Sequence, residues 1–491
     1  MARDGDTPNH ITRNIPDYEI LSDRDLTLIE SQADRILSQI GVDFVGNPDA
    51  LDRWRQAGAR VEGERVRLPE GLARDLCATA PASFVQHARN PGRNVTIGGR
   101  NLVCAPVYGP LFVRDQQQGR RYAGFADFCD FLRLGQVLPQ MHHSGGTVCE
   151  PTDLPIATRH LDMLLAHMTL TDKPLMGSVT LPERASDSLA MARILFGADV
   201  VERHCVLSAL INVNSPLTFD PVMSQAIDIY SGAGQAVILG SYVVTGTTAP
   251  ATVAGALAQT LAEMMAGIAY TQLVRPGAPV VFGPFVAGMG LVTGAATFAT
   301  PEVAQLTQAL GQLARRLGVP YRGGGALTGS KLPDAQAGYE AAQGLSAALQ
   351  SGVNLMTHAA GWLENGLVAC FEKYVMDADQ LTALAHMAQG VDLSDAALGL
   401  KAIREAGPGG HYLGSDHLAD HGDGMWQSTL MDCRPFDQWQ DAGSPDAAML
   451  AADRVRHYLD SYRQPDLDPA TASALASFVT RRKADIAACD S

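Results

Sequence analysis

Three stretches decide the fold: HCVLSALINV at 204–213, AVILGSYVV at 236–244 and PVVFGPFV at 279–286. Each is a short, uncharged run rich in Val, Ile and Leu, too brief for a core helix and bounded by turn residues. Between the second and third lies PATVAGALAQTLAEMMAGIAYTQLV (250–274), long enough for several helical turns. Near-continuous apolar strands separated by helices imply parallel strands buried on both faces.

The same rhythm extends in both directions. LVCAPVY (102–108), QMHHSGG (140–146) and PLMGSVT (174–180) precede these runs, and VPYRGGG (319–325) and GVNLMTHAAG (352–361) follow. Eight strand–helix units in a row predict a (β/α)8 TIM barrel over residues 100–365. QMHHSGG has the least strand character of the eight. No GxGxxG follows the first strand and no Walker-A sequence occurs, which removes the case for a nucleotide-binding fold.

Residues 1–99 read as an N-terminal helical region. LSDRDLTLIESQADRILSQIG (21–41) opens with Ser22 three residues before Asp25, a capping-box pattern, and Leu26, Ile29, Ala33, Ile36, Leu37 and Ile40 follow helical spacing. Residues 366–491 read as a C-terminal helical extension packing on the barrel, through segments such as ENGLVACFEKYVMDADQLTALAHMAQG (364–390).

Composition supports a large globular core: 46% apolar and 18% charged in 491 residues, with 48 glycines. The net charge of −15 and the lack of any Lys/Arg run argue against nucleic-acid binding. Eight scattered cysteines without a CxxC pair read as reduced thiols, and residues 1–20 lack an apolar signal core, so a cytoplasmic protein is expected. The uncharged stretch 278–299 holds four glycines and two prolines, punctuation that favours strand and loop over a membrane span.

Barrel active sites form at the C-terminal ends of the strands, so those ends name the candidates. They present Tyr108; His142 and His143; Asn212 and Asn214; Ser241 and Tyr242; Phe282 and Phe285; Tyr321 and Arg322; His358 and Trp362. No cluster of Asp and Glu stands among them for Mg²⁺ or for paired acid–base work. Aromatic faces with neutral donors and one Arg suit an apolar or cationic small molecule, each cation–π contact contributing about 0.5–2 kcal/mol.

His142 and His143 point to opposite faces of a strand, so at most one reaches the mouth. Lys331 could form a Schiff base, but it follows a glycine-rich loop and does not sit within a strand. In GGGALTGSKLPDAQAGYE (323–340) the glycines allow close backbone approach to a bound group, or the segment is a flexible loop closing the barrel. In GPGGHYLGSDHLADHG (407–422), His417 and His421 have i, i+4 spacing, yet no further zinc ligands follow. The stretch reads better as a lid over the mouth, with His411 its candidate contact.

IGVDFVGNPDALDRWRQAGARVEGERVRLPE (40–70), GGALTGSKLPDAQAGYE (324–340) and GPGGHYLGSDHL (407–418) resemble the trimethylamine:corrinoid methyltransferase family, in the branch lacking pyrrolysine that includes glycine betaine methyltransferases. The resemblance implies a (β/α)8 barrel passing a methyl group from a methylated amine to the Co(I) corrinoid, a cobalamin, of a separate corrinoid-binding protein, with no cofactor held tightly by this chain. Methylamine-specific members carry pyrrolysine, whereas every residue of Gly323–Lys331 is ordinary, which turns the expected substrate from trimethylamine to a quaternary amine of betaine type. The expected site is Arg322, His358 and His411 for a carboxylate, with Tyr108, Phe282, Phe285 and Trp362 around the ammonium. A non-catalytic quaternary-amine-binding paralogue, a trimethylamine-type methyltransferase and a Lys331 aldolase remain alternatives, and small-residue helices permit a homo-oligomer.

Overall fold

The computed structural model describes residues 9–489. Seven of the eight apolar runs form parallel strands: Asn101–Cys104, Leu175–Met176, Leu207–Val213, Ala236–Val244, Val280–Phe282, Arg322–Gly323 and Leu355–Met356. They lie in two arcs. One joins Leu175–Met176, Leu207–Val213, Ala236–Val244 and Val280–Phe282 in that order. The other joins Arg322–Gly323, Leu355–Met356 and Asn101–Cys104.

A parallel bridge from Phe282 to Tyr321 links the arcs on one side. On the other side the segment QMHHSGG is not a strand, because its backbone turns at Gly145, where φ is +83°. It still spans the gap by single hydrogen bonds. The His142 and His143 amides donate to Cys104 O, Ser144 N donates to Pro174 O, and Met176 N donates to Gly145 O, all at 2.9–3.1 Å. Eight helices alternate with these segments, from Phe125–Val137 to Phe371–Ala388, giving the α/β architecture the periodicity predicts.

Strand parity sorts side chains into two layers. Val103, Ala105, Met176, Leu210, Ile238, Val281 and Leu355 form an inner cluster, joined by Val95 and Ile97 of the hairpin Ser83–Gln86/Val95–Gly98. Leu207, Ala209, Ile211, Val237, Leu239, Val280 and Phe282 point the other way, among the helices.

The N-terminal region is not purely helical. Helices Asp23–Arg35, Pro48–Gln56 and Leu72–Cys77 alternate with short strands, and Val42–Phe44 pairs with Arg65–Arg67 and with Thr218–Phe219 from the fourth strand-to-helix connection. These strands are two to four residues long, too short to show a period. Helices of this region cover the outside of Val253–Val274, which explains why every residue from Ala256 to Gln272 of that helix is buried. Among the described residues no helix is long and apolar enough to cross a membrane.

Beyond residue 366, Phe371–Ala388 runs antiparallel to the strands. It begins near Gly361 and ends where Ala388 O accepts from Asn14 N, beside the start of the first strand. Ala447–Ser461 packs on this helix and on Phe125–Val137, and Pro469–Cys489 on Arg159–Leu170 and Pro182–Phe196.

Candidate active site at the strand ends

Above the inner apolar layer, residues of the same parity face the C-terminal mouth. Asn212 and Tyr242 stand exposed there, so the interior opens to solvent at this end. Gly240 makes room for the first of them, since a Cβ at that position would come within 2.5 Å of Asn212 Oδ1.

Across the mouth, Phe285, Phe298, His358 and Trp362 form one cluster. Ring centroids are 5.0 Å apart for Phe285–Phe298, 5.8 Å for Phe285–Trp362, 5.5 Å for Phe298–Trp362 and 4.4 Å for His358–Trp362. Trp362 is buried, and its Nε1 has no hydrogen-bond partner among the described residues. Tyr108 joins from the first strand, and Gly146 lets it approach, since a Cβ there would lie 2.8 Å from the Tyr108 ring.

Arg322 lies fully inside this group. Nε donates to Thr357 Oγ1 at 2.6 Å and Nη1 to Gly283 O at 3.2 Å, with Cζ 5.1 Å from the Phe285 centroid. Among the described residues Arg322 forms no ion pair. Burial pushes its guanidinium down to about 10, so a desolvated cation stands without an anion.

His358 occupies left-handed backbone, φ +56°, fixed by its amide donating to Pro106 O and its carbonyl accepting from Ala326 N. Its Nδ1 accepts from Tyr108 N at 3.2 Å, and its Nε2 lies 3.2 Å from Arg322 Nη2. Burial, and then the Arg322 charge, hold its pKa well below the usual histidine value, so the ring is neutral. A neutral imidazole has one donor and one acceptor nitrogen. With Nδ1 accepting, Nε2–H faces the guanidinium N–H, and two donors meet with no acceptor between them.

A buried pair underlies this loop. Asp377 accepts from Gly361 N at 2.9 Å and from Lys373 Nζ at 2.5 Å. Burial pushes Asp377 up to about 6, while Lys373 pulls it down.

Tyr108, Phe285, Arg322, His358 and Trp362 are therefore brought together, and two expected residues are not. Phe282 belongs to the outer parity and packs edge-on against Tyr321 in the core. His411 is exposed in a segment that leaves Phe371–Ala388 at the opposite end of the strands. That segment returns past Trp426, whose Nε1 donates to Thr382, beside a 440 Å³ groove lined by His10, Ile11 and His142. GPGGHYLGSDHL is thus no lid over the mouth. The His417 and His421 ring centroids lie 4.3 Å apart with the planes tilted by 32°, and His421 Nδ1 meets His417 O.

Neither paired histidine reaches the mouth. His142 Nδ1 accepts from Cys104 N, and His143 is buried beside Gln86. Lys331 is exposed and donates to Gly329 O, far from a Schiff-base pocket. The Gly323–Gly325 run packs on its own chain, Gly325 against Ala359 and Gly323 against Val353, and Glu340 ties down Thr328 and Gly329. Phe298, Thr357, Asn212 and Tyr242 complete the lining. The last two were legible as polar groups in phase with the inner apolar positions of their strands, whereas Phe298 arrives on the antiparallel hairpin Phe285–Met289/Ala296–Thr297, which parity alone does not place.

Comparison with known proteins gives concordant matches. The chain is 39% identical over 474 residues to a glycine betaine methyltransferase of Desulfitobacterium hafniense (strain Y51), covering 96% of this chain and 98% of that protein. It is 27% identical to a proline betaine:corrinoid methyltransferase of Eubacterium limosum, covering 91% and 94%. It is 26% identical to the trimethylamine methyltransferase MttB of Desulfitobacterium hafniense (strain DSM 10664 / DCB-2), covering 93% and 92%. The family profile described as Trimethylamine methyltransferase (MTTB) matches residues 2–487. The chain belongs to the trimethylamine methyltransferase (MTTB) family.

Proposed function

We propose that this protein transfers a methyl group from a betaine-type quaternary amine to the Co(I) corrinoid of a partner protein. One observation carries the reading: the unpaired Arg322 guanidinium and the His358 Nε2–H converge beside an aromatic cluster. A carboxylate oxygen between the two donors accepts from both and neutralises the buried cation. The trimethylammonium end then rests against Phe285, Phe298 and Trp362, with Tyr108 at the edge. The names of the betaine-acting relatives agree with this zwitterionic shape.

In the reaction the Co(I) electron pair forms a bond to the methyl carbon. The C–N bond breaks with its pair going to nitrogen, a neutral tertiary amine leaves, and the metal is oxidised by two electrons. No proton is transferred, which fits a lining without a carboxylic acid and with a neutral His358. The chain's own contribution is to anchor one end of the zwitterion, hold a methyl toward the mouth and exclude water. A tertiary amine such as trimethylamine carries no carboxylate and would leave the buried Arg322 guanidinium without an anion.

The same reading treats residues 100–365 as a closed (β/α)8 barrel, its second position filled by the hydrogen bonds of His142–Gly145, with 366–489 and most of 9–99 packed outside it and the 83–98 hairpin adding Val95 and Ile97 to its inner cluster. The corrinoid arrives with its carrier, and a Co(I) acceptor requires the reducing cytoplasm, where the unpaired cysteines also belong. Calorimetry with glycine betaine, proline betaine, choline and trimethylamine, followed by loss of Co(I) absorbance with free cob(I)alamin, tests the assignment. Binding and demethylation of trimethylamine, with no response to any quaternary amine, would overturn it.

A further inference from the structure

Between residues 101 and 370 the exposed large apolar side chains are confined to one end of the molecule. Leu111, Ile156, Leu181, Leu291, Val292 and Leu367 all lie in strand-to-helix connections, and Tyr242 and Tyr339 stand at the adjoining strand and helix ends. Apart from Tyr339, the fifth residue of Ala335–Gln350, the helix backs and helix-to-strand turns of this region carry none. Every connection contributes, the first also through Tyr122 and the seventh through Leu332, except the fifth, flanked by Tyr242 of its strand, and the fourth, which is covered by the N-terminal strand Val42–Phe44 pairing with Thr218–Phe219. Scattered exposed apolar residues need no explanation, but a ring of them around one opening does.

The most exposed are Leu291 at 88% and Val292 at 99%. They cap the hairpin Phe285–Met289/Ala296–Thr297, whose turn is closed by Gly290 N donating to Ala295 O at 2.9 Å. The hairpin begins at Phe285 and ends one residue before Phe298, so both of its feet stand in the aromatic cluster.

We infer that this apolar rim, led by the Leu291–Val292 hairpin tip, is the surface on which the corrinoid-carrying partner seats its corrin ring. The inference rests on the proposed methyl transfer, which requires the metal to reach a methyl held below the mouth. The corrin is a flat macrocycle with largely apolar faces, so the protein presenting it must cover the rim. Apolar contact there removes water from both surfaces as the metal approaches the substrate.

The double variant Leu291→Asp/Val292→Asp tests this, with Val391→Asp/Leu393→Asp, exposed beyond the last barrel helix, as control. The acceptors are free cob(I)alamin and a recombinant corrinoid-binding protein, loaded with cobalamin and reduced, that the wild type methylates. The expected result is a rise in KM for the protein-bound acceptor of about tenfold or more, with betaine affinity and the rate on free cob(I)alamin unchanged. The control pair leaves all three unchanged. An unaltered KM, an equal loss on both acceptors, or a change of oligomeric state in the hairpin variant overturns the docking surface and leaves the methyl transfer standing. A wild type that binds no quaternary amine and methylates neither acceptor overturns the function, and this surface with it.

Discussion

Replacing Arg322 by methionine removes the guanidinium while keeping an unbranched chain of similar length. In the free protein two effects oppose each other. The substitution forfeits the bonds to Thr357 Oγ1 and Gly283 O, leaving a buried carbonyl unsatisfied at a cost of about 1–3 kcal/mol. It also removes a cation whose depression to about 10 corresponds to roughly 3 kcal/mol of desolvation. The unliganded Tm should therefore stay within about 2 °C of wild type. Binding has no such cancellation. A carboxylate deprived of its buried cationic partner loses roughly 2–5 kcal/mol, so the Kd for glycine betaine rises between about 30-fold and several thousandfold. Choline carries the same trimethylammonium without the carboxylate, and its affinity should hold or improve as a like charge is removed. The betaine-over-choline preference, measured by titration calorimetry, thus collapses in Arg322→Met. Retention of that preference, or an equal loss for both ligands, would refute the pairing of Arg322 with a substrate carboxylate.

Phe285→Ala should weaken quaternary-amine binding by about 1 kcal/mol or more, while Phe282→Leu lowers Tm and leaves the Kd unchanged, a contrast measurable on the same calorimeter. Asp377→Asn strands Lys373 without an anion and should cost roughly 3–5 kcal/mol in denaturant unfolding, with Lys373→Met/Asp377→Leu recovering much of it; equal losses in both variants would count against this. His142 and His143, held to about 3 by burial, and His167, held to about 4, stay neutral, as does His358, so the folded state binds protons more weakly than the unfolded chain. Their stability contribution is complete above the unfolded histidine pKa and is lost as pH falls, at up to about 5 kcal/mol per pH unit near pH 5. A Tm that stays flat from pH 7 to pH 5 would contradict it.

The architecture was legible because Leu207–Val213 and Ala236–Val244 are long enough to show a continuous apolar run, and their neighbours repeat the pattern. The two-residue strands were legible only by analogy with these. Position at strand ends located Tyr108, Phe285, Arg322, His358 and Trp362, since a side chain there turns toward the mouth when its parity is the inner one. Phe282 failed on parity, which requires knowing one inward residue of the strand; Val281 supplies it, but both are apolar and the sequence does not rank them. His411 failed for a topological reason. Glycines and histidines mark a loop, yet nothing local reports that Phe371–Ala388 delivers it to the far end of the strands. The conjunction of Nε2–H with a guanidinium was equally hidden, because it depends on Tyr108 N claiming Nδ1.

The strand Ile11–Thr12 pairs antiparallel with Leu102 and Asn101, and the next residue, Arg13, donates from Nη1 to Val353 O across 340 residues of chain. On the ribosome, then, the first strand emerges with one neighbour already made and the other, Leu355–Met356, still to be synthesised. At about 5–20 residues per second the nascent chain waits roughly 13–50 s with one strand edge unpaired. Such an edge is a template for pairing with other chains. Production of this protein should accordingly depend on holdase chaperones acting during translation, and recoverable yield should improve when elongation is fast relative to the lifetime of that open edge.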